Sequence, residues 1–250
     1  MFYTDSHIHL QDFAFSEAKE VVNSALRNNV KEFVVPSSKP EDWKSIVKIT
    51  KRFDNVIGAI GVHPWCVENA DVSLIQTMEK FLKKNSSLWI GECGIDTIHN
   101  PETEKQCEFF EAQIELAQRY NRALIIHAVK ADNILSSYFQ KLPKQTIFHS
   151  FTGSLEWGKK IQNAGFYLGI NFSFFKKKNA PEMITNLDLS KILLETDAPY
   201  QPRKGYIQNV PENLPVLASA MAAILNMSET EICAVLSKNW KTFLTFNLKE

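Results

Sequence analysis

The chain has 250 residues, 28 Lys plus Arg against 28 Asp plus Glu, and a formal net charge of +0. That length is close to the ~250 residues of a (β/α)8 barrel, enough for one large core and short for two domains. The charge balance excludes a global basic field for nucleic acid or an anionic membrane, so any polyanion has to be held locally.

The elements alternate from the start. An apolar strand over Phe2 to Ser6 runs into Asp5-Ser6-His7-Ile8-His9-Leu10. Alternate side chains of an extended segment share a face, so His7 and His9 can grip one cation from the same side. Two strand histidines can equally be capping hydrogen bonds, and H-x-H alone does not decide between them. Helical periodicity follows over Glu17 to Asn28, a strand over Glu32 to Val35, a helix over Pro40 to Arg52, and a strand over Val56 to Ile60 that leads into Val62-His63-Pro64. A helix over Asp71 to Lys84 precedes the strand Leu88 to Gly91 and Glu92. In the helix Pro101 to Tyr120, Phe109, Phe110, Ile114, Leu116 and Ala117 recur at three- and four-residue steps, as on a helix packed outside a barrel. The strand Ala123 to Ile126 ends at His127, a helix spans Ala131 to Lys141, and the strand Gln145 to Phe148 ends at His149. Helix Ser154 to Ala164, strand Phe166 to Gly169, a short helix Ala180 to Asn186 and strand Ile192 to Leu194 lead to Asp197. Helices Pro211 to Leu225 and Glu229 to Phe246 close the chain, the second capped by Ser228.

Eight strands alternating with helices favour a parallel sheet closed into a (β/α)8, or TIM, barrel, with residues 1–250 as one domain. An open doubly wound sheet is the competing architecture, but no G-x-G-x-x-G or P-loop sequence accompanies these strands. All histidines but His99, together with Glu92 and Asp197, follow apolar runs, which is where metal ligands of such a barrel must converge. Cys66, Cys93, Cys107 and Cys233 have neither C-x-x-C spacing nor disulfide-scaffold density. Asp5 and His7 stand where a leader's apolar stretch would lie, and no apolar run approaches the ~20 residues of a membrane span. A soluble cytoplasmic protein with reduced thiols is expected.

DSHIHL at Asp5, GVHP at Gly61, GECGID at Gly91, IIH at Ile125, FHSFTGS at Phe148 and LLETDAPY at Leu193, in that order, resemble the TatD family of metal-dependent hydrolases within the amidohydrolase-like barrels. Asn209-Val210-Pro211 and Asn239 also resemble family positions. The resemblance implies that His7, His9 and Asp197 hold one divalent cation, that His127 and His149 hold a second, and that Glu92 bridges them, the ions being Mg2+, Mn2+ or Zn2+. Asp197 can instead, or also, form the turn ahead of Ala198-Pro199. His63 resembles a substrate-side histidine, or is a loop residue ordered by Pro64. Asp96 and Glu195 take supporting positions behind the ligands, with a turn residue and a simple ion pair as their plainer readings. Arg203 and Lys204 follow the last strand where a phosphate could be gripped, or belong to a solvated loop.

One departure stands out. The family's fifth-strand histidine often opens H-x-R-x-A, whereas this chain has His127-Ala128-Val129-Lys130-Ala131, and valine cannot fork onto a phosphate. The implied activity is a deoxyribonuclease acting on DNA ends or single strands through a metal-activated water, with Asp197 taking the proton, Glu92 and His63 in the machinery and His63 and Arg203 binding substrate. Two other readings remain open: a metal-dependent hydrolase of small or RNA-linked esters or amides, which needs a closed pocket instead of a groove, and a barrel that retains metals without catalysis. Trp65, Trp157, Tyr200 and Tyr206 can stack bases or cap the core.

Overall fold

The computed structural model describes residues 1–202, 205 and 207–245. Its strands are β1 (Tyr3–Asp5), β2 (Val30–Pro36), β3 (Val56–Ile60), β4 (Trp89–Asp96), β5 (Leu124–Val129), β6 (Thr146–Phe148), β7 (Tyr167–Ile170) and β8 (Ile192–Leu194). They form one eight-stranded sheet in chain order. The helices are α1 (Phe15–Arg27), α2 (Trp43–Arg52), α3 (Ser73–Lys84), α4 (Thr103–Arg119), α5 (Asp132–Ser137), α6 (Leu155–Asn163), α7 (Ala180–Asn186), α8 (Leu214–Leu225) and α9 (Glu229–Thr245). Parallel strands in sequential order, each followed by a helix, are the expected (β/α)8 barrel architecture. Among the described residues no helix is long and apolar enough to cross a membrane.

The chain divides into two units, residues 1–35 with 150–250, and residues 36–149. In the first, β1 meets β8 beyond its last residue: the Ser6 N–H and hydroxyl both donate to the Leu194 carbonyl at 3.0 Å. β7 and β8 run parallel from Leu168↔Ile192 to Ile170↔Leu194. Helix α9 begins with the Ser228 cap: the Glu231 N–H donates to Ser228 Oγ at 3.2 Å, and the Glu231 carboxylate accepts the Ser228 N–H at 2.8 Å. Its inner face buries Ile232, Leu236, Trp240 and Phe243, side chains worth ~1.5–3 kcal/mol each when removed from water. Asn239, on the same helix, donates to the carbonyls of Leu189 at 2.7 Å and Ile192 at 2.9 Å, tying it to the start of β8.

In the second unit α4 buries the expected apolar face, together with Gln106 and Gln113. Gln113 accepts the Val62 N–H at 2.7 Å and donates to the Val62 carbonyl at 3.2 Å, fixing the segment before His63. Gln106 does the same for Asp96, accepting its N–H at 2.8 Å and donating to its carbonyl at 3.1 Å. Two differences from the sequence reading occur here. Strands β4 and β5 continue past Gly91 and Ile126, pairing Gly94 with His127 and Asp96 with Val129. Gly94 permits this, since it sits at φ +135° and a Cβ there would lie 2.1 Å from the His127 carbonyl oxygen. Helix α5 stops at Ser137, short of Lys141, and the chain goes on in turns, the Tyr138 N–H donating to the Leu135 carbonyl at 3.1 Å and the Lys141 N–H to the Tyr138 carbonyl at 2.7 Å.

Candidate metal centre

The first unit gathers His7, His9 and Asp197 into one group of buried donors. Backbone bonds set its shape: the His9 N–H donates to the Ala198 carbonyl at 2.7 Å and the Asp197 N–H to the His7 carbonyl at 2.9 Å. Asp5, fully buried, accepts N–H groups from His7 at 3.3 Å and Thr196 at 2.9 Å and the Thr196 hydroxyl, so one carboxylate clamps both ligand segments. Burial raises that carboxyl to about 7 against the pull of those bonds. Asn209 donates to the Thr196 carbonyl at 2.7 Å. These bonds hold Asp197 at φ 59°, a left-handed conformation that aspartate tolerates better than most residues. His7 Nε2 lies 3.2 Å from His9 Nε2 and 3.8 Å from Asp197 Oδ1, and His9 Nε2 lies 3.3 Å from the same oxygen. A point equidistant from these three atoms is about 2.0 Å from each, which matches nitrogen and oxygen bonds to a divalent ion such as zinc.

Glu195, also in this unit, is completely buried. Its Oε1 accepts the Ser150 N–H at 2.6 Å, and Asn171 Nδ2, 3.4 Å from that oxygen, also donates to the Ser150 hydroxyl at 2.9 Å. Glu195 thereby braces the Ser150 turn.

The second unit holds the other group. Glu92 Oε2 lies 2.9 Å from His149 Nε2, 3.6 Å from His127 Nδ1 and 3.7 Å from His63 Nε2. With 3.2 Å between His127 Nδ1 and His149 Nε2, the point equidistant from those two atoms and Glu92 Oε2 is about 1.9 Å from each. The far nitrogen of His127 faces Asp96 Oδ2 at 3.1 Å. A proton on Nε2 donated to Asp96 leaves Nδ1 with a lone pair aimed at Glu92 and His149, as a carboxylate behind a ligating histidine normally arranges. Burial opposes a charge on His127, but the bonds to Asp96 and then Glu92 win and raise it to about 9. For Asp96, burial pushes upward and is outweighed by the bonds from His127, His99, Trp65 and Ile98, which hold the carboxyl well below its usual range.

Donors of these types, at these separations and almost all buried, fit divalent cations. The geometry brings together every metal-ligand candidate within its own unit: His7, His9 and Asp197 in one, and Glu92, His127 and His149 in the other, joined there by His63. His63 Nδ1 accepts the Trp65 N–H at 3.2 Å, so the plainer reading of a loop-ordered histidine holds alongside its place in the group. Val129 lies opposite Asp96 in the β4–β5 pairing. Arg203, Lys204 and Tyr206 fall outside the described residues. Of the aromatics offered for stacking, Trp157 is buried, and Tyr200 is half-exposed with its hydroxyl donating to Asp12 at 2.9 Å.

Sequence reasoning missed Asp5, Gln106 and Asn171, polar residues whose importance comes from complete burial. It also set aside His99, whose ring stacks on Trp65.

The family model described as TatD related DNase matches residues 4–245. The chain belongs to the TatD family. TatD relatives include the metal-dependent hydrolase YjjV of Escherichia coli (strain K12), 26% identical over 98% of each chain. Deoxyribonuclease Tat-D of Schizosaccharomyces pombe is 27% identical over 79% of this chain and 67% of its own length. The crystal structure of YjjV, described as a TatD homolog, superposes with a TM-score of 0.90 at 24% identity, covering 96% of this chain and 97% of that one, and so shares this fold. TatD membership is consistent with the ligand types found in both groups.

Proposed function

We propose that this TatD-family hydrolase is a divalent-cation-dependent phosphodiesterase acting on DNA ends or single strands. The observation that carries the reading is the geometry of the donors: in each unit, two histidine nitrogens and a carboxylate oxygen surround a point about 2 Å from all three. His7, His9 and Asp197 would hold one cation, and Glu92, His127 and His149 another, with Mg2+, Mn2+ or Zn2+ as suitable ions. Cations held there would supply Lewis acidity, making hydroxide available near neutral pH and offsetting charge on phosphoryl oxygens.

The chain's own groups carry the rest. Asp197 accepts the water's proton. His63, next to Glu92, donates to a phosphoryl oxygen or to the departing alcohol. Asp96 fixes the tautomer and orientation of His127, and Glu195 braces the Ser150 turn. Arg203 is assigned to substrate phosphate from its place after β8. The DNA substrate is supported by the family's description and by the deoxyribonuclease name of the fission-yeast relative, since a net charge of +0 offers no polyanion signal. A cytoplasmic location is supported by the four cysteines being free thiols.

The test is hydrolysis of a 5′-labelled single strand, its duplex and a small carboxyl ester, at two ionic strengths with Mg2+. Release of nucleotides from the single strand, faster than from the duplex and falling with salt, is expected. Arg203→Ala should weaken binding and lower the slope of log K against log salt by about one, the share of a single neutralised phosphate. Ester turnover with intact DNA in every lane would overturn the reading in favour of a small-ester hydrolase.

A further inference from the structure

Trp65 is 53% exposed yet firmly held. Its indole Nε1 donates to Asp96 Oδ2 at 2.7 Å and its backbone N–H to His63 Nδ1 at 3.2 Å. One face of the indole stacks on His99, with centroids 4.4 Å apart and planes 23° from parallel. The rings of His63 and His127 meet it edge-on at 4.9 and 5.9 Å. The indole's one polar atom is therefore committed inward, and what it shows to solvent is π surface and C–H edge. Ile98, beside His99 in sequence, adds an apolar side chain that is 69% exposed. A large aromatic left in water beside buried histidines and carboxylates loses hydrophobic stabilisation that burial would have supplied.

We propose that the Trp65–His99 stack is a nucleobase platform. A nucleotide whose phosphodiester lies at the His63, Glu92, His127 and His149 group lays its base against Trp65, while His99, stacked on one face of the indole, holds it as a positioning residue. This rests on the phosphodiesterase reading and adds to it where one base of the substrate goes. The Trp65 indole, with its only polar atom bonded to Asp96, offers a base no donor or acceptor to read its edge, so it accepts all four bases and favours purines for their larger π face. It also gives a chain of zero net charge a way to hold a nucleotide without additional phosphate contacts.

The experiment compares a dinucleotide with its abasic counterpart as substrates of the metal-loaded full chain. Wild type should prefer the base-containing substrate through KM by about 5- to 150-fold, the worth of one base–aromatic stack. Trp65→Ala should bring that ratio close to one. Trp65→Phe, which keeps a ring but loses the bond to Asp96, should keep most of the preference even where kcat falls, separating the stack from the support of Asp96. A second measurement uses chelator-treated protein: the dinucleotide should quench tryptophan emission in wild type, and the quenching should vanish in both Trp65 variants. A base-to-abasic ratio unchanged by Trp65→Ala, or quenching undiminished in it, overturns the platform. If wild type cleaves neither dinucleotide, the phosphodiesterase reading fails, and the quenching measurement decides the platform by itself.

Discussion

Asp96→Asn is the substitution whose effect can be worked furthest from the structure. In the metal-free protein His127 holds a proton up to about pH 9, compared with an ordinary 6.5, because Asp96 and Glu92 outweigh its burial. A cation taking His127 Nδ1 has to work with the neutral ring, so at pH 7 the proton competes by about 10², close to 2.7 kcal/mol at ~1.36 kcal/mol per pH unit. Cation affinity of the second-unit group should therefore rise about tenfold per pH unit between pH 6.5 and about 9 and then level off. The stability that this proton lends the metal-free fold is full below pH 6.5 and is lost as pH rises through about 9. A neutral amide in place of the Asp96 carboxylate cannot hold the imidazolium, so the variant should level off earlier. At pH 9 and above, where competition no longer matters, it should bind roughly 10- to 100-fold more weakly, the usual cost of removing the carboxylate behind a metal-ligating histidine. Calorimetric metal titrations of chelator-treated protein across that pH range, paired with thermal denaturation of the metal-free form, read both effects. Levelling off at the same pH in wild type and variant would refute the coupling of Asp96 to His127.

Four further outcomes are expected. Exhaustive chelation should abolish turnover and added Mg2+, Mn2+ or Zn2+ should restore it; full activity with no metal by elemental analysis would contradict the mechanism. Glu92→Gln keeps shape but removes the charge 2.9 Å from His149 Nε2, so bound metal per chain should fall and turnover should drop by ~10²-fold or more, measured by elemental analysis and steady-state kinetics. Gly94→Ala puts a Cβ against the His127 carbonyl at φ +135°, and the chain should either fail to fold or lose at least ~1–3 kcal/mol in urea denaturation; an unchanged midpoint would mean β4 and β5 do not pair as described. Ser228→Ala removes the α9 cap and should cost ~1 kcal/mol by the same assay, with metal content unchanged.

The architecture is legible in the amino-acid order alone. Period-two and helical patterns are local properties of the chain, so the strand over Val56–Ile60, the strand over Ile192–Leu194 and the helix over Ala180–Asn186 have the residue limits read from sequence. Ser228 is legible as a cap because an N-cap acts within three residues of itself. The histidines and acids are legible as a set because each follows an apolar run. The remaining features depend on residues far apart in the chain. Asp5 is a clamp only because Thr196, 191 positions away, supplies its partners. Gln106 and Gln113 are structural only because the buried backbone of Asp96 and Val62 reaches them. Strands β4 and β5 run past the polar residues that seemed to end them, since Gly94 lets the His127 carbonyl approach where any side chain would block it. Which histidine nitrogen faces a cation and which faces Asp96, and whether Trp65 is a core residue or an exposed ring stacked on His99, are likewise set by packing and by hydrogen bonds made at a distance, for which no local pattern in the chain carries a signal.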